Sequence, residues 1–188
     1  MSHQFDKSIL RAYDIRGIVG SSLNIKDAEI IGRVFASEIR SKYKSCKIVI
    51  GYDGRLSSPV IEKAMTRGLM DCGANVIRVG LGPSPMLYFA SKVLDADGGV
   101  MITGSHNPSD YNGFKLLIKN TSFFGKNILR LDKRARLSNW DFKKGSCNNY
   151  FFEDAYLRIL VDSIEANDNN ISVAWDCGNG ATGNILSK

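Results

Sequence analysis

Residues 47–103 read KIVIGYDGRLSSPVIEKAMTRGLMDCGANVIRVGLGPSPMLYFASKVLDADGGVMIT. Short β-rich runs at Lys47–Gly51, Asn75–Gly80 and Gly98–Thr103 alternate with helical runs. Ser58 reads as a cap followed by Pro59 at the first helical position, where a missing N–H costs nothing. That helix is expected to reach about Cys72 and stop at Gly73. Ser84-Pro85 repeats the device and opens a helix ending near Leu94. The strand–helix–strand rhythm predicts an α/β fold on a mostly parallel sheet.

Working outward, Lys26–Tyr43 places Ile30, Ile31, Val34, Phe35 and Ile39 on one helical face. Gly104–Asn112 is polar and turn-rich, and Gly113–Lys119 reads as a returning strand. Lys126–Leu137 is a basic helix, and Ser138–Asn149 has the composition of a linker. Phe151–Ala166 is amphipathic. Ile171–Trp175 reads as a strand entering Asp176-Cys177-Gly178-Asn179-Gly180. With few residues after that turn, it resembles the opening of a second α/β unit. The expected division is residues 1–147 as one domain and 148–188 as a linker helix and the first strand of an incomplete second one.

The 188 residues carry 25 Lys and Arg against 19 Asp and Glu, a net charge of +6. A positive balance favours anionic partners. The basic residues are scattered, and their densest cluster, Lys126–Lys144, lacks a nucleic-acid-binding signature and reads as a solvated helix face. Cys46, Cys72, Cys147 and Cys177 fit neither a zinc pattern nor a CxxC pair. The N-terminus lacks the apolar core of a signal peptide, and no stretch is long enough to span a membrane. A cytoplasmic protein with free thiols is expected, with no nucleic-acid or membrane partner.

Thr103-Gly104-Ser105-His106-Asn107-Pro108 is the most informative segment for chemistry. A buried strand delivers a serine into a loop at its carboxyl end, where α/β sheets place ligands. Asn107 and nearby N–H groups could hold an anion on the serine oxygen; the competing reading is a polar turn. A hydrolase elbow needs glycines where Thr103 and Asn107 stand. His106 is poorly placed for a triad, and His3 belongs to an expected tail.

Arg11, Tyr13 and Arg16 could clamp a phosphate, since guanidinium donors match its oxygens bidentately; otherwise they sit on a solvated strand. Lys115 stands where a returning strand could bring its ammonium toward Ser105. Arg55 either enters the same cleft or supports its turn. Gly178–Gly183 satisfies GxGxxG, but the acidic residue expected about twenty positions later has no place in these residues. Asn120-Thr121-Ser122 is an incidental sequon.

In order, Arg11-Ala12-Tyr13-Asp14-Ile15-Arg16-Gly17, Gly51-Tyr52-Asp53-Gly54-Arg55, Thr103–Pro108, Asn112-Gly113-Phe114-Lys115 and Asp176–Gly180 resemble the α-D-phosphohexomutase family. The forms Tyr-Asp-Ile-Arg-Gly and Thr-Gly-Ser-His-Asn-Pro resemble its phosphomannomutase/phosphoglucomutase subgroup rather than the phosphoglucosamine mutases. The resemblance implies a three-layer α/β/α first domain with a mixed, mostly parallel sheet. It implies interconversion of hexose 1- and 6-phosphates through a bisphosphorylated sugar, with Ser105 carrying the phosphoryl group. Arg16 and Lys115 would stabilise charge or assist proton transfer. His106 and Asn107 would shape the loop, with Tyr13, Arg11 and Arg55 as substrate or loop-shaping residues.

Mg²⁺, bound through the Ser105 phosphate, and a hexose 1,6-bisphosphate activator are the implied cofactors, and a phosphosugar is the implied substrate. The family's domains 2 to 4 supply the remaining metal ligands and the sugar-selecting loops. This chain alone is therefore expected to lack appreciable mutase activity. The alternative is a non-catalytic phosphate-binding module of the same fold; a nucleotide-binding domain built on Gly178–Gly183 is a third reading.

Overall fold

The computed structural model describes residues 2–164 and 172–188. In chain order the elements are β1 (Ile15–Ile18), α1 (Ile25–Arg40), β2 (Lys47–Tyr52), α2 (Ser58–Asp71), β3 (Asn75–Leu81), α3 (Ser84–Val93), β4 (Gly98–Ile102), β5 (Tyr111–Ile118), β6 (Thr121–Phe123), α4 (Lys126–Arg136), β7 (Ser146–Asn149), α5 (Glu153–Asp162) and α6 (Gly183–Leu186). A 3₁₀ turn at Lys7–Ile9 precedes β1.

The strands form one sheet in the order β1-β5-β4-β2-β3-β7, with β6 beside β5. β4, β2, β3 and β7 are joined in parallel. β5 is antiparallel to β4, β1 and β6. Among the described strands β5 alone therefore runs against the rest, which makes the sheet mixed but mostly parallel.

Alternation along the strands sends side chains to two apolar layers. Ile48, Ile50, Val100, Ile102 and Phe114 pack under α1 and α2, where Ile31, Phe35, Ile39, Ile61, Met65 and Leu69 are fully buried or nearly so. Val49, Met101 and Leu117 pack on the opposite face with Met86, Leu87 and Ala90 of α3. The expected α/β/α layering is what forms.

Several local expectations change. Ser58 is not a cap: Ser57 precedes the helix, and the Ser58 hydroxyl donates to Asp53 Oδ1 at 2.6 Å. His3 is not in a loose tail. Its Nε2 lies 2.6 Å from the buried Asp27 carboxylate of α1, and its N–H donates to the Ala135 carbonyl. The expected linker contains β7, which pairs with the outer edge of β3. Backbone groups drive that pairing, and an edge strand can be polar (Ser146, Asn148, Asn149), so hydrophobic patterning gave no sign of it.

The expected division after Cys147 falls within β7. The helix expected over Phe151–Ala166 is observed as Glu153–Asp162, and residues 165–166 lie outside those described. Ile171 also lies outside them, and Ser172–Trp175 are not a strand. No neighbouring strand stands beside them among the described residues, and a lone strand has no ladder.

The basic residues of α4 are partly committed rather than simply solvated. Arg130, Arg134 and Lys42 converge on the buried Glu38 of α1. Burial raises the Glu38 pKa, but hydrogen bonds and charge from Lys42 and Arg134 outweigh it and hold the group below its ordinary 4.5. At the start of β4, burial likewise raises the Asp97 carboxyl. It is nonetheless held below 3.8 by Lys119, the Lys47 N–H and the Ser45 hydroxyl.

Depressed carboxylate pKa values stabilise the fold above the unfolded-state values and cease to do so as pH falls through the folded ones. The thermal midpoint is thus expected to hold steady through neutral pH and to fall below about pH 4. Asp97→Asn should lower the midpoint at pH 7 and shrink the difference between pH 7 and pH 3. A melt series in which the variant keeps the full acid decline would assign that decline elsewhere.

The cysteines are unpaired, and burial pushes the Cys46 thiol up to about 12. No helix of the described residues is long and apolar enough to cross a membrane.

Candidate functional site

The carboxyl ends of β2 and β4 sit side by side, and the turns leaving them face one cleft of about 720 Å³. Asp53, Arg55 and Leu56 line it from the β2 turn, Thr103, Ser105 and Asn107 from the β4 loop, and Pro83 and Ser84 from the start of α3. Asn179, Gly180 and Ala181 close another side. The GxGxxG segment therefore faces this cleft as a turn without a preceding strand among the described residues, which removes the geometry a dinucleotide fingerprint needs.

Ser105 is exposed at the loop tip with φ at +54°, a left-handed conformation that L-residues adopt at a cost of about 1–2 kcal/mol. Side chains hold it there from both directions. Its N–H donates to Thr103 Oγ1 at 2.8 Å, and its carbonyl accepts from Arg55 Nη2 at 3.0 Å. The hydroxyl lies 3.4 Å from His106 Nδ1, and both residues are exposed. The other histidine, His3, is engaged with Asp27 of α1, so no nucleophile–histidine–acid triad forms among the described residues.

Arg55 does not project into the cleft as a free cation. Its Nη1 donates to the carbonyls of Pro108 and Tyr111 and its Nη2 to those of Ser105 and Asn107. Its Nε pairs with Asp53 Oδ2 at 3.3 Å. Asp53 also accepts the Gly104 N–H at 3.2 Å and the Ser58 hydroxyl. Beneath them the fully buried Asn112 donates to Ser57 Oγ and Ser58 Oγ, each at 2.9 Å, and accepts from the Gly113 N–H.

Arg16 reaches the loop from β1. Nη1 donates to Asn107 Oδ1 and Nη2 to the Asp14 carboxylate, while the buried Nε has no partner among the described residues. Asn107 is thus tied to Arg16 by its side chain and to Arg55 by its carbonyl. Lys115 stands on the expected return strand, opposite Met101, which lines the cleft. Lys115 is half-buried, lies outside the cleft lining, and has no ion-pair or hydrogen-bond partner among the described residues. Tyr13 is 81% exposed and packs on Phe124, and Arg11 lies 6.0 Å over the Tyr111 ring at the exit of the loop.

The structure therefore gathers Ser105, His106, Asn107, Arg55 and Arg16 into one network, with Arg11 and Tyr13 at its rim. It leaves Lys115 on the neighbouring strand. Thr103, Asp53, Ser57, Ser58 and Asn112 hold the loop, and none had a role at the site assigned from sequence. The placing of Thr103, Asp53 and Asn112 in motifs beside Ser105, Arg55 and Gly113 was the signal that hinted at one. For Mg²⁺, the described residues contain no group of three His, Cys, Asp or Glu side chains able to hold an ion. Asp53 already spends both oxygens on Ser58, Arg55 and Gly104. These residues do not by themselves fit the ion.

The family model for phosphoglucomutase/phosphomannomutase, alpha/beta/alpha domain I, matches residues 7–131. A phosphomannomutase/phosphoglucomutase of Pseudomonas aeruginosa is 42% identical over 181 residues, covering 96% of this chain and 39% of the relative. A phosphoglucomutase of Neisseria meningitidis serogroup B is 38% identical over 184 residues, covering 97% of this chain and 40% of the relative. The crystal structure of a phosphoglucomutase/phosphomannomutase family protein from Burkholderia thailandensis superposes with a TM-score of 0.81 at 36% identity, over 86% of this chain and 37% of that one. The chain spans about two-fifths of the length of these curated relatives. With the match running from the 3₁₀ turn before β1 into α4, the chain belongs to the phosphoglucomutase/phosphomannomutase family and carries its α/β/α domain I.

Proposed function

We propose that this chain supplies the phosphoryl-carrying serine of a phosphohexomutase, with Ser105 as the group that accepts and returns the phosphate. The observation that carries the reading is the presentation of Ser105. It is an exposed hydroxyl in a left-handed turn, held by Thr103 and Arg55 at the mouth of the cleft. A phosphoserine carries about −1.5 to −2 charge at neutral pH and needs cations within reach. Arg16, tied to the loop through Asn107, and Lys115, without a partner among the described residues, are the residues assigned to that task.

Phosphoryl transfer depends chiefly on positioning and charge neutralisation, so little else is asked of the protein. Ser105 Oγ gives up its proton and attacks phosphorus of a hexose bisphosphate, the P–O bond to the sugar breaks, and the departing sugar oxygen takes up a proton in exchange. In the reverse sense a hexose monophosphate hydroxyl attacks the phosphorus of the phosphoserine, the Ser105 Oγ–P bond breaks, and the proton lost by the sugar hydroxyl is balanced by one taken up at the departing Ser105 Oγ, with Lys115 proposed to assist. His106, 3.4 Å from Ser105 Oγ, shapes the loop. Tyr13 and Arg11 are proposed to meet the phosphosugar at the rim.

Full isomerisation needs the substrate to turn over, and by this reading it draws on residues beyond this stretch. They would include the Mg²⁺ ligands and the loops that choose between glucose and mannose. The 188-residue chain alone is expected to show no turnover of glucose 1-phosphate with Mg²⁺ and glucose 1,6-bisphosphate.

The test is a chimaera in which this chain replaces the matching stretch of the Pseudomonas aeruginosa relative. Incubated with labelled glucose 1,6-bisphosphate, it should carry the label on the peptide containing Ser105, and Ser105→Ala should carry none. Label elsewhere, or label and turnover that survive Ser105→Ala, would refute the assignment. The non-catalytic alternative predicts an unlabelled but folded chimaera.

A further inference from the structure

We infer that Arg55 is a positioning residue, a fastener that sets the conformation of Ser105 and never meets substrate. The inference rests on the proposed function for its catalytic consequence but not for its structural part. An arginine beside a phosphate-handling serine invites the opposite assignment, as a cation that grips substrate. The hydrogen bonds decide against it.

Both N–H groups of Nη1 and both of Nη2 are already used. Nη1 serves the Pro108 and Tyr111 carbonyls, at 2.5 and 2.9 Å. Nη2 serves those of Ser105 and Asn107, at 3.0 and 2.7 Å. Nε faces Asp53 Oδ2 as an ion pair at 3.3 Å. Neither terminal nitrogen has an N–H left to offer a ligand unless the loop is released. The side chain is only 14% exposed, flat against Gly104, where a Cβ would stand 2.4 Å from its Cζ and Nε.

The residues it fastens have a direction. Asp53, two positions earlier in the same turn, accepts the Gly104 N–H at the entrance of the loop. Arg55 then takes carbonyls through its middle and at its exit. One short turn at the end of β2 thus grips the β4–β5 loop from start to finish. At Ser105 it supplies the half of the restraint that Thr103 does not: Thr103 holds the N–H, Arg55 the carbonyl. A left-handed serine persists only where its surroundings over-determine it. Removing Arg55 should let Ser105 relax toward ordinary backbone angles and shift its hydroxyl from its place at the mouth of the cleft.

Two readouts separate this role from substrate binding and from general stability. In the 188-residue chain, Arg55→Met should speed amide exchange across 104–111 at least tenfold while β2 and β4 keep their protection. In the chimaera it should lower kcat about 100-fold, the scale of a misplaced reacting group, with KM within twofold. Arg55→Lys, a point charge unable to span the carbonyls, should restore only part of the rate. Unchanged loop exchange would overturn the inference. So would a KM that rises while kcat holds, which would make Arg55 a substrate ligand. If instead Ser105→Ala leaves turnover intact, the proposed function falls while the exchange result still judges Arg55.

Discussion

Gly68→Ala is expected to lower the thermal midpoint of the chain by roughly 4–8 °C, although alanine is the better helix former. A Cβ built on Gly68 of α2 would stand 1.9 Å from the Glu29 carbonyl oxygen, 2.8 Å from its carbon and 3.1 Å from the Arg33 nitrogen, all backbone atoms of α1. The contact is reciprocal, because a Cβ on Gly32 of α1 would stand 2.5 Å from the Met65 oxygen and 2.9 Å from the Leu69 nitrogen of α2. The helices touch main chain to main chain, so no side-chain rotation can make room and the backbones must part.

Overpacking of this kind costs about 3 kcal/mol or more. Alanine returns only about 1 kcal/mol through helix propensity. Parting the helices also pulls Arg33 off Asp71, which it bridges across the same interface at 2.8 Å. A net loss of about 2 kcal/mol is a large share of the stability of a domain and corresponds to the stated shift at this size. Gly183, with open space around it and no left-handed angle, is the control, and Gly183→Ala should leave the midpoint unchanged. A Gly68→Ala melt at or above that of the parent would show that the helices are not in such contact.

Those two glycines mark where a sequence becomes opaque. The apolar face of α1 and the proline-marked starts of α2 and α3 were plain from spacing and local chemistry. The mostly parallel sheet followed from the strand–helix–strand rhythm, whereas the order of its strands is given only by the structure. Gly32 and Gly68, however, sit inside helical patterns, where a glycine reads only as a weakness. Its reason lies in a helix far along the chain. β7 escaped notice for a related cause: its place is fixed by the free edge of β3, and no property of Ser146–Asn149 announces it. Ser172–Trp175 failed in the other direction, carrying strand-like residues without a neighbouring strand among those described.

The candidate site divides similarly. The serine loop was legible because strand, glycine, hydroxyl and proline lie within a few residues of one another. Arg55 could be read as either a ligand or a brace, and only the loop's carbonyl positions choose between them, since backbone acceptors leave no trace in residue type. Asn112, Ser57 and Ser58 are ordinary polar residues in sequence, and their value comes from stacking under the turn. Lys115 was placed on the correct strand, yet strand register alone does not bring an ammonium to a serine on the adjoining loop.

Gly104→Ala is expected to reproduce Arg55→Met, with phosphoryl transfer in the chimaera reduced about 100-fold and only a small change in melting. Gly104 has no left-handed angle to protect, so alanine suits its backbone. What it cannot suit is the guanidinium, with Cζ and Nε at 2.4 Å and Nη1 at 2.8 Å from the added methyl. Such a contact is cheap when the neighbour is the loose end of a long side chain. Here the neighbour is pinned by its bonds to the loop, and moving aside breaks them.

The two changes therefore strike the same fastening, and residues that act through one contact do not add. The double variant Gly104→Ala, Arg55→Met should be no slower than either single one, because methionine can vacate the space the methyl needs. Losses that multiply to about 10⁴-fold would mean that Gly104 acts separately from Arg55. A Gly104→Ala chimaera at full speed would mean that the guanidinium can step aside without disturbing Ser105, leaving Thr103 as its main restraint.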